Sequence, residues 1–413
     1  MIYVNSTIMG GGKSMAAITY MNEHPNERYI YIAPYLSEDD RIYKACERLR
    51  FVRPNGKYPG KTSIGKLAHV AEAIEQGRNI ATTHQLFKMM TPQILDVAKE
   101  QQYTLIVDET LDVLEKTEFN DNDLKLLLDA GCLVNENGKL VEGPSPYKGE
   151  ALKKDIFLPM RSRDIVIAGD DDEDKHKWFL PIRMVKSFKD VYILTYLFDG
   201  QLMKYYLDVA GLPYQRIGVS RDSTGIFRFA SEDFYIPDYV HHIHDIIRIV
   251  SDKRMNEIGE NRTDLSMAWF NTRGDKDELR KCLRRYFREM HPDTPTTEKL
   301  WGGFKKYKTS IQDRGYASRF LSFNARAMND YGGCTCVAYP VNVFMPPSDK
   351  NFFKIRDLDF DEDIYALSTM VQFLWRSAIR NGKPIDLYLP SSRMRNLLLD
   401  WMDSVCEGGA VTV

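Results

Sequence analysis

Short apolar, β-rich runs alternate with amphipathic stretches through the first half of the chain. Met1–Asn5, Tyr29–Ala33, Asn79–Thr82, Tyr103–Val107 and Val191–Thr195 read as strands, and Lys13–Asn22, Glu38–Leu49 and Ile64–Gln76 carry a helical period. Near-continuous apolar strands separated by such helices predict a parallel sheet covered on both faces. From Lys116 to Asp190 the alternation stops and turn-rich, polar sequence takes over. That stretch, about 117–190, reads as an insertion carrying an exposed hairpin. A second alternating block begins near Thr263. Its expected strands are Ser266–Phe270, Arg319–Asn324, Cys334–Val343 and Ile385–Leu389, and its expected helices are Asp277–Met290 and Ile364–Asn381. The expected division is therefore an α/β domain over 1–205, an inter-domain region over 206–262 and a second α/β domain over 263–413.

Composition narrows the class. With 413 residues, 43% hydrophobic and 28% charged, the chain can bury a sizeable core, which excludes a disordered or fibrous protein. A formal charge of −2 gives no global basic field, although a local basic groove would not register in a net count. No apolar run reaches the roughly 18–20 residues of a membrane span, and no secretory signal is expected at the N-terminus. Six scattered cysteines form no disulfide framework. A cytoplasmic protein without a membrane partner is the expectation.

The candidate chemistry starts at Thr7–Ser14, T-I-M-G-G-G-K-S, placed between the opening strand and a helix. A phosphate-binding loop needs that context, because backbone N–H groups and a helix N-terminus then face phosphate oxygens. The pattern A-x-x-G-x-G-K-[ST] fits Gly10, Gly12, Lys13 and Ser14, with Thr7 in place of Ala and Gly11 between the two glycines. Lys13 would carry charge to the β- and γ-phosphates of ATP, and the Ser14 hydroxyl would ligate Mg²⁺. The strand Leu105–Val107 then runs into Asp108 and Glu109. Carboxylates at the C-terminal end of a parallel strand face the ligand crevice. Asp108 would hold the metal and Glu109 would orient or deprotonate the attacking water.

Gln372, Arg376 and Arg380 recur every fourth residue, beside an apolar arc of Val371, Leu374, Trp375, Ala378 and Ile379. On one helix this predicts a packed face and an adjacent Gln/Arg face suited to phosphoryl charge. Trp301–Ser310 interleaves Lys305, Lys306 and Lys308 with Phe304 and Tyr307, a pattern shared by solvated loops and single-strand contacts. His241, His242 and His244 lack partners at metal-ligand spacing and read as surface residues. Cys334 and Cys336 read as buried core thiols, and Asp170–Asp174 as a solvated hairpin tip.

Taken in order, these segments resemble the superfamily 2 helicases, of the compact kind encoded by bacteriophages. Thr7–Ser14 resembles motif I, Tyr31–Tyr35 motif Ia, Ala81–Phe87 motif Ib, Val107–Thr110 motif II, Leu194-Thr195 the end of motif III, and Phe323–Tyr331 motif V. Gln372, Arg376 and Arg380 match the spacing of motif VI. The resemblance implies two RecA-like domains of the tandem P-loop NTPase type, with Mg·ATP in the cleft and single-stranded or forked nucleic acid across both. DNA is favoured, with RNA the alternative. It implies Arg376 and Arg380 at the γ-phosphate, Arg380 as the arginine finger, and Gln372 against ATP or the motif II carboxylates. Thr82, Thr83, Arg326 and Asn329 then fall where the family touches nucleic acid. No adenine-reading glutamine motif is expected upstream of Thr7. A phage replication or recombination setting follows, in the host cytoplasm, with replication proteins as partners.

Two rivals stand beside the helicase. A DNA-packaging motor ATPase also carries a P-loop and an acidic strand end, but usually adds a carboxylate-rich nuclease. An interaction protein that binds ATP and a protein partner without unwinding is the second. Nucleic-acid-stimulated ATP hydrolysis separates them.

Overall fold

The structure is a computed structural model that describes residues 1–55, 65–117, 119–168, 176–325 and 330–407. Its α/β class matches the expectation. The chain divides into two compact units, one of residues 1–7, 12–235 and 346–360, the other of residues 8–11, 236–345 and 361–413.

The first unit opens with β1 (Ile2–Asn5), β2 (Tyr29–Ala33), β3 (Ile80–Thr83) and β4 (Thr104–Asp108). They alternate with α1 (Lys13–Glu23), α2 (Leu36–Ala45), α3 (Lys66–Glu75), the short α4 (His84–Phe87) and α5 (Pro92–Glu100). An inserted antiparallel sheet follows, made of β5 (Leu114–Lys116), β6 (Leu133–Glu136), β7 (Lys139–Glu142), β8 (Asp164–Ile167) and β9 (His176–Phe179). It buries a core of its own around Leu124, Leu133, Ile165 and Trp178. The chain then returns through β10 (Val191–Leu194), β11 (Tyr214–Arg221) and β12 (Phe227–Ala230).

The main sheet has the order β12-β11-β1-β10-β4-β2-β3, and only β12 runs antiparallel to its neighbour. Period-two alternation divides its strands between two cores. Ile30, Ile32, Leu105, Val107 and Ile193 point to one face, and Tyr29, Tyr31, Ala33, Ile106 and Tyr192 to the other. Both faces are covered, which explains why these strands lack the apolar–polar alternation of a half-exposed sheet.

The second unit holds β13 (Ile247–Ile249), β14 (Lys299–Gly303), β15 (Phe320–Ser322), β16 (Cys336–Ala338) and β17 (Ile385–Tyr388) in the all-parallel order β13-β17-β16-β14-β15. Three expectations change here. Met267–Asn271 is a helix, not a strand, because the Ser266 hydroxyl caps it by accepting the Trp269 N–H at 3.2 Å. Lys299–Gly303, which overlaps the Trp301–Ser310 stretch read as a solvated loop or a single-strand contact, is an interior strand with Trp301 fully buried. Of Cys334–Val343, only Cys336–Ala338 pairs as strand. Cys334 and Cys336 are buried, as expected.

The division also departs from the expected boundaries. β11 and β12, inside the expected inter-domain stretch, extend the first sheet. Residues 346–360 belong to the first unit although the chain reaches them from the second. Phe352 and Phe353 enter the first unit's core, the buried Lys177 ammonium pairs with Asp349 at 3.1 Å, and Phe360 lies against Tyr205. Each buried ring is worth about 1.5–3 kcal/mol. No helix among the described residues is long and apolar enough to cross a membrane.

Candidate nucleotide site

The glycine loop joins β1 to α1; these two elements, Thr7 and Gly12 belong to the first unit, whereas residues 8–11 group with the second. Gly10 and Gly12 take φ of +76° and +86°, the left-handed region that an L-residue enters only at a cost. An ideal Cβ on Gly12 would stand 2.2 Å from the Phe227 ring, so glycine is required there twice over. Thr7 anchors the entry to the loop. Its N–H and hydroxyl donate to Asn5 Oδ1 at 3.1 and 2.6 Å, and its hydroxyl also lies 2.5 Å from Asp233 Oδ1. The Lys13 ammonium donates to the Thr7 carbonyl at 2.6 Å. Burial lowers the Lys13 pKa, while the carboxylates of Glu109, Asp108 and Asp233 pull it upward.

β10 separates β1 from β4, so the loop strand and the acidic strand lie about 10 Å apart. The first turn of α1 bridges that gap. Ser14 Oγ lies 3.2 Å from each carboxylate oxygen of Asp108, although the residues are 94 positions apart. Tyr31 donates its hydroxyl to Asp108 Oδ2 at 2.5 Å, and Arg41 reaches the same oxygen at 3.3 Å. Burial first, and then the Asp108 charge, hold the Tyr31 phenol well above its ordinary pKa, so it stays a donor. His84 Nε2 lies 3.0 Å from the Asp108 carbonyl. Glu109 follows at φ +64°, a left-handed conformation for a non-glycine residue and a form of strain that clusters at functional sites. Thr110 contacts Gln201 at 3.0 Å, and Gln201 donates to the Tyr196 carbonyl at 3.4 Å.

These donors suit a magnesium triphosphate. Mg²⁺ usually takes one or two protein oxygens and fills its octahedron with water and phosphate oxygens. A Ser14 hydroxyl beside the Asp108 carboxylate supplies that pair. No side chain caps α1, whose N-terminus adjoins the glycine loop. Thr195, between β1 and β4 at the end of β10, is fully buried, and its hydroxyl has no hydrogen-bond partner among the described residues. Tyr31, Arg41, Asp233 and Gln201 carried no expected role, and His84 none at the nucleotide. Tyr31 and His84 lay inside motif-like segments, but nothing local indicated that they would meet Asp108.

Gln372, Arg376 and Arg380 belong to the second unit, and one expectation about them is corrected. They do not share a helix. Glu362–Leu374 is helical, the chain turns at 375–377, and Ala378–Asn381 is a separate 3₁₀ turn entered through an extended Ser377. Ser377 is fully buried and its hydroxyl donates to the Leu374 carbonyl at 2.6 Å, a local bond that competes with helix continuation. Gln372 is half-buried near Ser368, Arg376 is buried and Arg380 is exposed.

The expected nucleic-acid residues have mixed placements. Thr82 is buried, and the half-buried Thr83 uses its hydroxyl to cap α4. Lys305 and Lys306 are exposed, with Lys306 bonded to Asn271 at 3.1 Å and 5.2 Å above the Tyr307 ring. Phe304 is buried, which leaves Tyr307 as the accessible ring of that segment. Arg326 and Asn329 lie outside the described residues, as does the acidic run 170–174. His241, His242 and His244 are exposed, and no group of three or more metal-ligating side chains occurs among the described residues.

A family model described as the YonV C-terminal Rossmann-like domain matches residues 241–402. Among solved structures, an apo XPD aligns at 12% identity with a TM-score of 0.48, covering 100% of this chain and 96% of that one. The Xpd4 protein of S. tokodaii aligns at 11% identity with a TM-score of 0.45, covering 97% and 94%. In sequence, the chain is 32% identical over 412 residues to the SPbeta prophage-derived protein YonV of Bacillus subtilis (strain 168), a match spanning 98% of this chain and 99% of the relative. Identity at that level along both chains makes this protein a member of the YonV family.

Proposed function

We propose that this chain is an ATP-dependent nucleic-acid helicase or translocase, with the glycine loop and the Asp108–Glu109 strand end as its hydrolytic centre. The observation that carries the reading is the meeting of Ser14 and Asp108 at 3.2 Å beside a glycine loop that bears Lys13. In this reading Gly10–Gly12 and Lys13 hold the β- and γ-phosphates of ATP, and Ser14 and Asp108 hold Mg²⁺. Bound Mg²⁺ would neutralise charge on the phosphoryl oxygens during transfer. Tyr31 and Arg41 fix the Asp108 carboxylate, and Glu109 orients the attacking water and accepts its proton. Arg380, Arg376 and Gln372 keep the roles towards the nucleotide that the helicase resemblance implies for them. Lys305, Lys306 and Tyr307 offer charge and one ring face to a DNA or RNA strand.

The test is ATP hydrolysis by the full chain with and without single-stranded DNA, forked DNA and RNA, with Lys13→Ala as the inactive control. Stimulation by one of these polymers, lost in Lys13→Ala, is the expected result. Hydrolysis that no nucleic acid stimulates would leave the ATP-binding interaction protein as the better reading.

A further inference from the structure

The hairpin of β11 and β12 places an aromatic and cationic cluster beside Gly12 at the start of α1, and hairpin, cluster and Gly12 all belong to the first unit. Side-chain alternation puts Phe227 and Phe229 on one face of β12. Phe229 packs inward, its ring 5.1 Å from Tyr192 and nearly parallel to it. Phe227 therefore faces the start of α1, where it lies against Gly12. Outward from Phe227, the Tyr235 ring meets it edge-on at 5.2 Å. The Arg221 guanidinium sits 5.3 Å from the Phe227 centroid and 5.5 Å from that of Tyr235. Arg221 is exposed and both rings are half-exposed, so the cluster opens in part to solvent next to Gly12, with the guanidinium over both rings.

The hairpin is held in place by bonds that the cluster does not supply. The Asp222 carboxylate accepts the Thr224 and Ile226 N–H groups at 2.9 and 3.0 Å and the Arg228 guanidinium at 2.6 Å. Arg228 also reaches Glu23, at the far end of α1, at 2.9 Å. Phe227 at Gly12 and Arg228 at Glu23 thus tie the hairpin to both ends of α1.

We infer that Arg221, Phe227 and Tyr235 form the platform on which the base of the bound nucleotide stacks. This rests on reading the glycine loop as a triphosphate site. Stacking on ring faces and a guanidinium plane is tolerant of base identity and grows with ring area. The platform therefore accepts adenine and guanine alike and prefers them to pyrimidines. Arg221 and Tyr235 are specificity-determining, whereas Phe227 also packs on the loop and is a poorer probe.

The experiment is calorimetric titration of the full chain, with Mg²⁺, using the non-hydrolysable imido analogues of ATP, GTP and UTP and inorganic tripolyphosphate, which has no base. In wild type the two purine analogues are expected to bind alike and more tightly than the pyrimidine one. Arg221→Ala and Tyr235→Leu are each expected to weaken purine binding by about tenfold and to leave tripolyphosphate unchanged. Variants that bind purine analogues as wild type does, or that lose tripolyphosphate to the same extent, overturn the platform. A wild type that binds nucleotides no better than tripolyphosphate also removes the platform but leaves the phosphate site standing. A wild type that binds none of the four removes both.

Discussion

Replacing Gly12 with alanine is expected to loosen the start of α1, by an amount that follows from two features of the loop. The backbone sits at φ +86°, where a Cβ costs roughly 1–2 kcal/mol. The added methyl would also lie 2.2, 2.5 and 2.7 Å from Phe227 Cδ1, Cε1 and Cγ, so the ring must move, at an overpacking cost of roughly 1–3 kcal/mol. Alanine restricts the unfolded chain, which returns about 0.5–1 kcal/mol. The net loss is about 1–4.5 kcal/mol. Hydrogen exchange of the amides in Lys13–Glu23 reads this locally, without assuming that the two units unfold together. At about 1.4 kcal/mol per tenfold change, exchange should quicken by about 5- to 1,600-fold. Adding Phe227→Ala removes the ring, so Gly12→Ala made in that background should retain only the backbone part. Gly333→Ala, where an added Cβ meets nothing within 4 Å, should leave α1 unchanged. Exchange in Gly12→Ala within twofold of wild type, or no relief from the second substitution, would refute the reasoning.

The remaining expectations concern the carboxylate, the second unit and a buried thiol. Tyr31→Phe keeps the ring but deletes the hydroxyl that donates to Asp108 at 2.5 Å. The Mg²⁺ concentration needed for half-maximal nucleotide binding should rise about tenfold, and an unmoved Mg²⁺ titration would remove Tyr31 from the site. Arg380→Ala should leave nucleotide affinity near wild type and cut turnover by roughly 10³-fold, and unchanged turnover would end its role as an arginine finger. Burial raises the Cys46 thiol from 9.0 to about 11. The folded state then holds that proton more tightly than the unfolded chain does. The contribution to stability is full below pH 9 and falls by about 1.4 kcal/mol per pH unit as pH rises towards 11. Melting temperatures across that range should fall less steeply in Cys46→Ala, and equal slopes would refute the assignment.

The strands of the first sheet were legible because burial on both faces makes each a short apolar run. Tyr29–Ala33 is identical in reading and structure, β1, β3, β4 and β10 differ by a residue or two, and β11 and β12, inside the expected inter-domain stretch, were not read as strands. Lys299–Gly303 was illegible for the opposite reason. It begins with a lysine and ends in two glycines, and Gly302 is small because Phe373 and Tyr339 would each lie 3.0 Å from a Cβ there. That requirement comes from neighbours distant in sequence. Met267–Asn271 is a short apolar run whose period fits helix or strand equally, and the Ser266 cap decides it. The spacing of Gln372, Arg376 and Arg380 suggested one continuous helix, and the buried turn at Ser377 interrupts it.

By itself the sequence determined the parts whose physics is local. A glycine-rich turn between a strand and a helix, with Lys13 and Ser14 at its end, is set by contiguous residues, as is an apolar strand running into Asp108 and Glu109. The tertiary structure alone decided what meets what. Strand order and crossovers carried Ser14, Tyr31 and Arg41 to one carboxylate, laid Phe227 on Gly12, and drew residues 346–360 into the first unit's core. Contacts of that kind depend on how separate segments fold back on one another, a relation that no single stretch of chain encodes.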